Sequence, residues 1–307
     1  MKFFAKTDLG KVRQVNQDYY VAENRKVGIF PNVFIVADGV GSNRDSGYAS
    51  KHCSDFVIDQ LSLTKDSANY EKELAKAYRL ANIDLVYRII ANPKYNGMGT
   101  TMVCATIIDG MALIANVGDS RCYHITDDII QITNDHSIAE ELARVNEIER
   151  GTAKYYELKS QLSRAFGASK KIEPDFFNVD LRNGDYILLC TDGLTNMVSD
   201  EKILEIVKDN TSIETKVDDL IDEANLNGGK DNIAVILIYI DDLKKNDSVF
   251  EREKEELNRK TISELNKNDS NIERRSMKDI LEDRSRKLYD EGHSRSRRKD
   301  EGLDDEG

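Results

Sequence analysis

Four aspartates stand where apolar runs begin or end. Asp38 follows "VFIVA", Asp119 follows "ALIANVG", Asp192 follows "YILLCT" and Asp231 precedes "NIAVILIYI". Any one of them alone reads as ordinary turn chemistry, because Asp-Gly suits a tight turn. Four together ask for more. If the runs are strands of one sandwich, their ends converge and the carboxylates repel. Burying one unpaired charge costs on the order of several kcal/mol. Few cations lie beside these positions in the sequence, so a divalent ion is the natural partner. Carboxylates with backbone carbonyls suit a hard ion such as Mg²⁺ or Mn²⁺. Zinc is disfavoured, since the chain has only four histidines, no H-E-x-x-H and no cysteine pair. Gly39 and Gly193 follow two of the aspartates and would let the backbone come close and offer a carbonyl. Two metals roughly 3.5–4 Å apart can share a hydroxide for in-line attack on phosphorus. Arg13, in "GKVRQVNQD", could grip two phosphate oxygens with its fork. Taken alone, Arg13 reads as a surface salt bridge.

Other chemistries are excluded or disfavoured. None of the four cysteines, Cys53, Cys104, Cys122 and Cys190, has an arginine six positions on, so a thiolate phosphatase is ruled out. No G-x-x-x-x-G-K-[ST] loop is present. A net charge of −12 argues against nucleic acid as partner and suits a site that collects cations. The cysteines read as buried free thiols. The longest clean apolar run, Ile233 to Ile240, is far short of a membrane span, and the N-terminus lacks a signal-like apolar stretch. The expected location is cytoplasmic.

The elements that must position these residues are short. Strands are predicted at Lys2–Thr7, Asp18–Ala22, Val33–Ala37, Thr101–Ile108, Met111–Val117, Ser120–Ile125, Phe176–Asp180, Tyr186–Cys190 and Ile233–Tyr239. Asp109-Gly110 marks one hairpin and Asn183-Gly184 a second. Helices are predicted at Ser46–Gln60, Tyr70–Ala91, Ser137–Arg150, Asp200–Lys208 and Ile213–Asn225. Ser137 and Glu140 form a capping-box signature. Hairpins, with helices in pairs between strand groups, point to an α+β fold: a central antiparallel β-sandwich flanked by helix pairs.

Composition changes near residue 242. Residues 1–242 carry 27 Lys and Arg against 38 Asp and Glu, whereas 243–307 carry 17 against 18. The acidity therefore belongs to the first part, read as one domain. The tail 243–307 is read as partly helical or disordered, with a weak near-heptad set at Leu265, Ile272, Ile280 and Leu288 that could dock a protein partner.

With these blocks in hand, the chain resembles the metal-dependent PPM/PP2C serine/threonine phosphatases, and the compact bacterial branch in particular. "GKVRQVNQD", "VADGVG", "GMGTTMVCA", "NVGDSR", "ITNDHS", "SQLSRAFG", "LLCTDGL" and "GGKDNIAVILI" occur in the family's order, over residues 1 to about 242. The resemblance implies a four-layer sandwich with two Mn²⁺ or Mg²⁺ ions at one end and a third, weaker ion. By motif, Asp38 would bridge both metals and the Gly39 carbonyl would bind one. Asp192 and Asp231 would hold the other, and Asp119 would help hold the third. Arg13 would bind phosphate, Asp18 would anchor water behind the metals, and Asn232 completes the D-N pair.

The implied activity is hydrolysis of phosphoserine and phosphothreonine in proteins by a hydroxide bridging the two ions, without a phospho-enzyme, opposing a cognate Ser/Thr kinase. Departures are Ser42 and Asn43 where Gly and His are usual, Val40 where animal members carry His, and Ala234 where Thr is frequent. Leaving-group protonation would then fall to water. His136 is expected to be structural. The stretch between His136 and Arg164 contains no Asp, and Glu157 is a weak substitute as a third-metal ligand. Two rival readings are a phosphoprotein-binding domain without turnover, and a phosphatase for a small phosphoester or one regulatory protein.

Overall fold

A computed structural model describes residues 1–41, 46–65, 67 and 69–243. The tail reading, and the departures at Ser42 and Asn43, lie outside the described residues.

The strands are β1 (Lys2–Asp8), β2 (Asp18–Glu23), β3 (Val33–Val40), β4 (Gly99–Thr100), β5 (Met102–Ile108), β6 (Met111–Val117), β7 (Arg121–Ile125), β8 (Ile129–Gln131), β9 (Asp175–Asp180), β10 (Tyr186–Cys190) and β11 (Ile233–Tyr239). The helices are α1 (Ser46–Ser62), α2 (Tyr70–Ala91), α3 (Ile138–Arg144), α4 (Ala153–Lys159), α5 (Asp192–Thr195), α6 (Asp200–Lys208) and α7 (Ile213–Leu226). Two antiparallel sheets form, in the orders β1-β11-β10-β7-β8 and β2-β3-β5-β6-β9, with β4 paired to β3.

Side-chain alternation along each strand sorts the core into three layers. On β3, Val33 and Ile35 face α1 and α2, while Phe34 and Val36 face the other sheet. On β11, Val235 and Leu237 face α7, while Ala234, Ile236 and Ile238 face β3 and its neighbours. The layers therefore run helix pair, sheet, sheet, helices, as the strand and helix groups predict.

Asp109 and Gly110 both have positive φ (48° and 85°) and join Ile108 to its partner Met111, a tight hairpin turn. Asn183-Gly184 is a turn but not a hairpin. It leads from β9 in one sheet to β10 in the other, so the local signal gives the reversal but not the partner. The helix expected over 137–150 is shorter. Ser137 caps it, its Oγ accepting from the Glu140 N–H at 3.2 Å, but α3 stops at Arg144. Asn146 enters the left-handed region (φ 59°), a helix-ending conformation. The Glu140 carboxylate turns to Arg150 and to the Tyr155 hydroxyl, so the expected capping box is half made and the stretch folds back into α4.

Candidate metal centre

The alternation that builds the core also aims the carboxylates. Asp38 continues the Phe34–Val36 face of β3 and so points between the sheets. Asp18 is its register partner on β2, and the two carboxyls are close enough to be electrostatically linked. From the other sheet, Thr191 continues the Ile187–Leu189 face of β10. Its Oγ1 donates to Asp18 Oδ2 at 2.8 Å and accepts from the Ala234 N–H at 2.9 Å, joining the two sheets through one hydroxyl. Asp192 opens α5 one residue later. Asp231 stands two residues before β11.

Gly193 holds these last two segments together. A Cβ at Gly193 would lie 1.9 Å from the Asn232 carbonyl oxygen, so only glycine fits. The requirement is steric rather than a freed carbonyl. Asp119 sits in the turn where the chain leaves β6 for β7 and changes sheets. That turn is pinned by Gly118 (φ 105°), where a Cβ would press on Thr101 at 2.5 Å. Thr101 also holds Asp38: its Oγ1 accepts from the Asp38 N–H at 3.0 Å, and its own N–H donates to the Asp38 carbonyl at 2.9 Å. Gly39 donates its N–H to the Gln17 carbonyl at 3.0 Å.

The result is a cluster of mutually repelling acids. Burial, and then the neighbouring Asp18, Asp192, Asp119 and Asp231, push the Asp38 carboxyl well above the usual range. Burial first pushes the Asp18 carboxyl up to about 8, with Asp192 and Asp231 adding to the rise and Thr191 opposing it. Asp119 is raised by burial and by Asp192, and Asp192 by burial and by Asp231. Such an arrangement is costly unless a cation joins it.

Arg13 is the cation on the open side. Its Nη2 donates to Asp231 Oδ2 at 2.6 Å, and its side chain is about half exposed (48 %). The loop that carries it is firmly tethered. The Lys11 and Val12 N–H groups both donate to the Gly229 carbonyl, at 2.7 and 3.2 Å. Gly10 (φ 73°) passes so close that a Cβ would sit 2.2 Å from the Asp231 carbonyl oxygen. Asn232 clamps both ends of the loop, accepting from the Gln17 N–H and donating to the Leu9 carbonyl, each at 2.9 Å. Asn232 is thus a positioning residue.

The far side of the cluster opens into a cavity of about 490 Å³ lined by Asp119, Asp192, Lys159, Tyr156 and Met197. Lys159 Nζ donates to Asn196 Oδ1 at 2.7 Å, and Asn196 Nδ2 donates to Asp192 Oδ2 at 2.8 Å. Sequence reasoning missed Thr191, Lys159 and Asn196, because each acts through a partner distant in the chain. His136 is structural. It is buried, and its Nδ1 accepts from the Gly118 N–H at 3.0 Å, which leaves the ring proton on Nε2 beside Asp175. Burial keeps its pKa below the usual value. Asp135 accepts a two-pronged bond from Arg121. Glu157 pairs with Lys154 on the exposed side of α4.

The donor set fits hard divalent ions: several buried carboxylate oxygens, no sulfur and no free imidazole. As the side chains stand, no three His, Cys, Asp or Glu among the described residues form a finished ligand group. Asp231 Oδ2 is engaged by Arg13 and Asp192 Oδ2 by Asn196.

Known proteins agree with this architecture. The model of the family "Protein phosphatase 2C" matches residues 21–233, which include all four strand-end aspartates. "Serine/threonine phosphatase stp" of Listeria innocua is 37 % identical over 242 residues, covering 76 % of this chain and 93 % of that protein. The crystal structure of serine/threonine phosphatase Stp1 from Staphylococcus aureus superposes with a TM-score of 0.73 at 31 % identity, covering 78 % of this chain and 95 % of that one. The catalytic domain of serine threonine protein phosphatase PstP, solved in complex with two manganese ions, gives a TM-score of 0.68 at 28 % identity, over 78 % of this chain and 98 % of that one. The chain belongs to the protein phosphatase 2C family and is an enzyme of that kind.

Proposed function

We propose that this enzyme removes phosphate from phosphoserine and phosphothreonine in proteins. Asp38 and the Gly39 carbonyl, with Asp192 and Asp231, would hold two Mn²⁺ or Mg²⁺ ions, and Asp119 would serve a third, weaker one. When bound, such a pair supplies Lewis acidity and a hydroxide nucleophile at neutral pH. The observation that carries the reading is the gathering of five aspartates from both sheets at one rim, with Arg13 the cation bound directly to one of them.

The chain's own residues then have separable tasks. Arg13 uses Nη2 on Asp231 and keeps further N–H donors for the equatorial phosphate oxygens, where negative charge builds during in-line attack. Asn232 and Gly10 fix the height of that guanidinium above the carboxylates. Asp18, locked by Thr191 and in register with Asp38, would orient water behind the metal ligands. His136 takes no part in proton transfer, because both ring nitrogens are engaged within the fold.

Residues 1–242 are assigned to the phosphatase domain and 243–307 to a separate charged tail that could dock a protein partner. In support, the last strand ends at Tyr239 and the relatives are matched over nearly their whole length by about three quarters of this chain. Since the substrate is a phosphorylated protein side chain, a Ser/Thr kinase must supply it. No helix among the described residues is long and apolar enough to cross a membrane, and all four cysteines are free and buried, which supports a reducing, cytoplasmic setting.

The test is phosphate release from a phosphothreonine peptide and from p-nitrophenyl phosphate, with Mn²⁺, with chelator, and with Asp38→Asn. Release that needs Mn²⁺ and fails in Asp38→Asn is expected. A rate untouched by chelator refutes the metal reading, and no turnover with any metal indicates a binding domain.

A further inference from the structure

The loop that carries Arg13 shows a second feature that phosphate binding does not require. Leu9, Val12 and Val15 are 40 %, 63 % and 43 % exposed, and all three lie within seven residues. They bracket Arg13 on both sides. Leu226, 74 % exposed, ends α7 three residues before Gly229, whose carbonyl holds the Val12 N–H. Single exposed apolar residues are ordinary, but several beside a site mark a binding surface.

The loop is not free to fold these side chains inward. Its backbone is tied by Gly229, Asn232 and Asp8, the last accepting from the Gly10 N–H at 2.8 Å, and Asn16 Nδ2 is tied to Thr7 Oγ1 at 2.9 Å. Rigid tethers thus hold apolar groups in water around the guanidinium. A ligand that covers them removes that surface from water at no cost in loop ordering.

We infer that this loop is a specificity platform: it takes an apolar side chain of the substrate, of Leu, Ile, Val or Phe size, close in sequence to the phosphoresidue. This rests on the phosphatase reading above. The phosphate on Arg13 fixes the substrate's register. An extended peptide advances about 3.3 Å per residue, so residues within about three positions of the phosphothreonine fall on Val12 and Val15. Their neighbours in the substrate are selected for apolar character.

The experiment compares kcat/KM of the full chain, loaded with Mn²⁺, on phosphothreonine peptides flanked by Leu or by Ala, with p-nitrophenyl phosphate as a substrate too small to reach the loop. Burying two half-exposed apolar contacts gives roughly a tenfold preference for Leu flanks. The double variant Val12→Ser/Val15→Ser should reduce that preference to about twofold or less, while p-nitrophenyl phosphate hydrolysis stays within about twofold of wild type. Equal rates on both peptides in the wild type would overturn the platform, as would an equal loss on peptide and p-nitrophenyl phosphate in the variant. Dimers in sedimentation that the same variant dissociates would assign the patch to self-association instead. Absence of turnover on every substrate would fell the phosphatase reading itself, and so is distinguishable from loss of preference alone.

Discussion

Replacing Asp18 by Asn should stabilise the metal-free protein, and more so as pH rises. Asp18 is 7 % exposed and its carboxyl is raised by burial to about 8, against 3.8 for an ordinary aspartate. Between those values the folded chain keeps the proton while the unfolded chain has released it. A raised carboxyl therefore removes stability as pH climbs from about 4 to about 8, by about 1.4 kcal/mol per pH unit for one full proton. From pH 5 to pH 7 the ceiling is about 2.7 kcal/mol, and coupling to Asp38 brings the expected value to about 1–2.5 kcal/mol. Asn keeps an acceptor for the Thr191 hydroxyl and adds an N–H donor toward Asp38, so packing is preserved. In the presence of chelator, thermal or urea unfolding of both proteins at pH 5, 6, 7 and 8 gives the difference between them, which cancels His136 and the other groups not coupled to Asp18. For a domain of this size, about 1–2.5 kcal/mol corresponds to roughly 2–10 °C in Tm. A difference that stays flat from pH 5 to 8, or an Asn variant less stable than wild type at pH 8, would refute the reasoning.

Arg13→Lys keeps the charge but loses the planar fork, so kcat/KM on a phosphopeptide should fall by roughly a hundredfold while calorimetry still finds Mn²⁺ bound. Thr191→Val leaves the buried Ala234 N–H without an acceptor and Asp18 without its donor, and urea unfolding should show a loss of about 2–3 kcal/mol. Gly193→Ala drives a Cβ into the Asn232 carbonyl and parts Asp192 from Asp231; Mn²⁺ affinity should drop at least about tenfold by calorimetric titration, with the fold retained by circular dichroism.

The sequence made the strand-end aspartates legible because period-two alternation carries directly from core to rim. Once Phe34 and Val36 face the other sheet, Asp38 must follow them. The helices over Tyr70–Ala91 and Asp200–Lys208 appear with the expected limits, since amphipathic spacing and caps are local signals. What failed was non-local. Asn183-Gly184 signals a reversal whichever sheet the next strand joins. Glu140 looks like a capping-box partner until Arg150 and Tyr155 fold back onto it. The site's supporting residues share that character: Thr191 gains its role from Asp18, 173 positions away, and Gly193 from the backbone of Asn232. Lys159 bonds Asn196, which in turn holds Asp192, a link between positions far apart in the chain.

The central claim is that acids gathered at the rim of the sandwich recruit hard divalent ions. Calorimetric titration of the chelator-stripped full chain with Mn²⁺ near pH 7.5 tests it most directly. The account predicts two strong sites per chain in the wild type and the loss of both in Asp38→Asn. Heats of dilution alone in the wild type, or an isotherm that Asp38→Asn leaves unchanged, would contradict it.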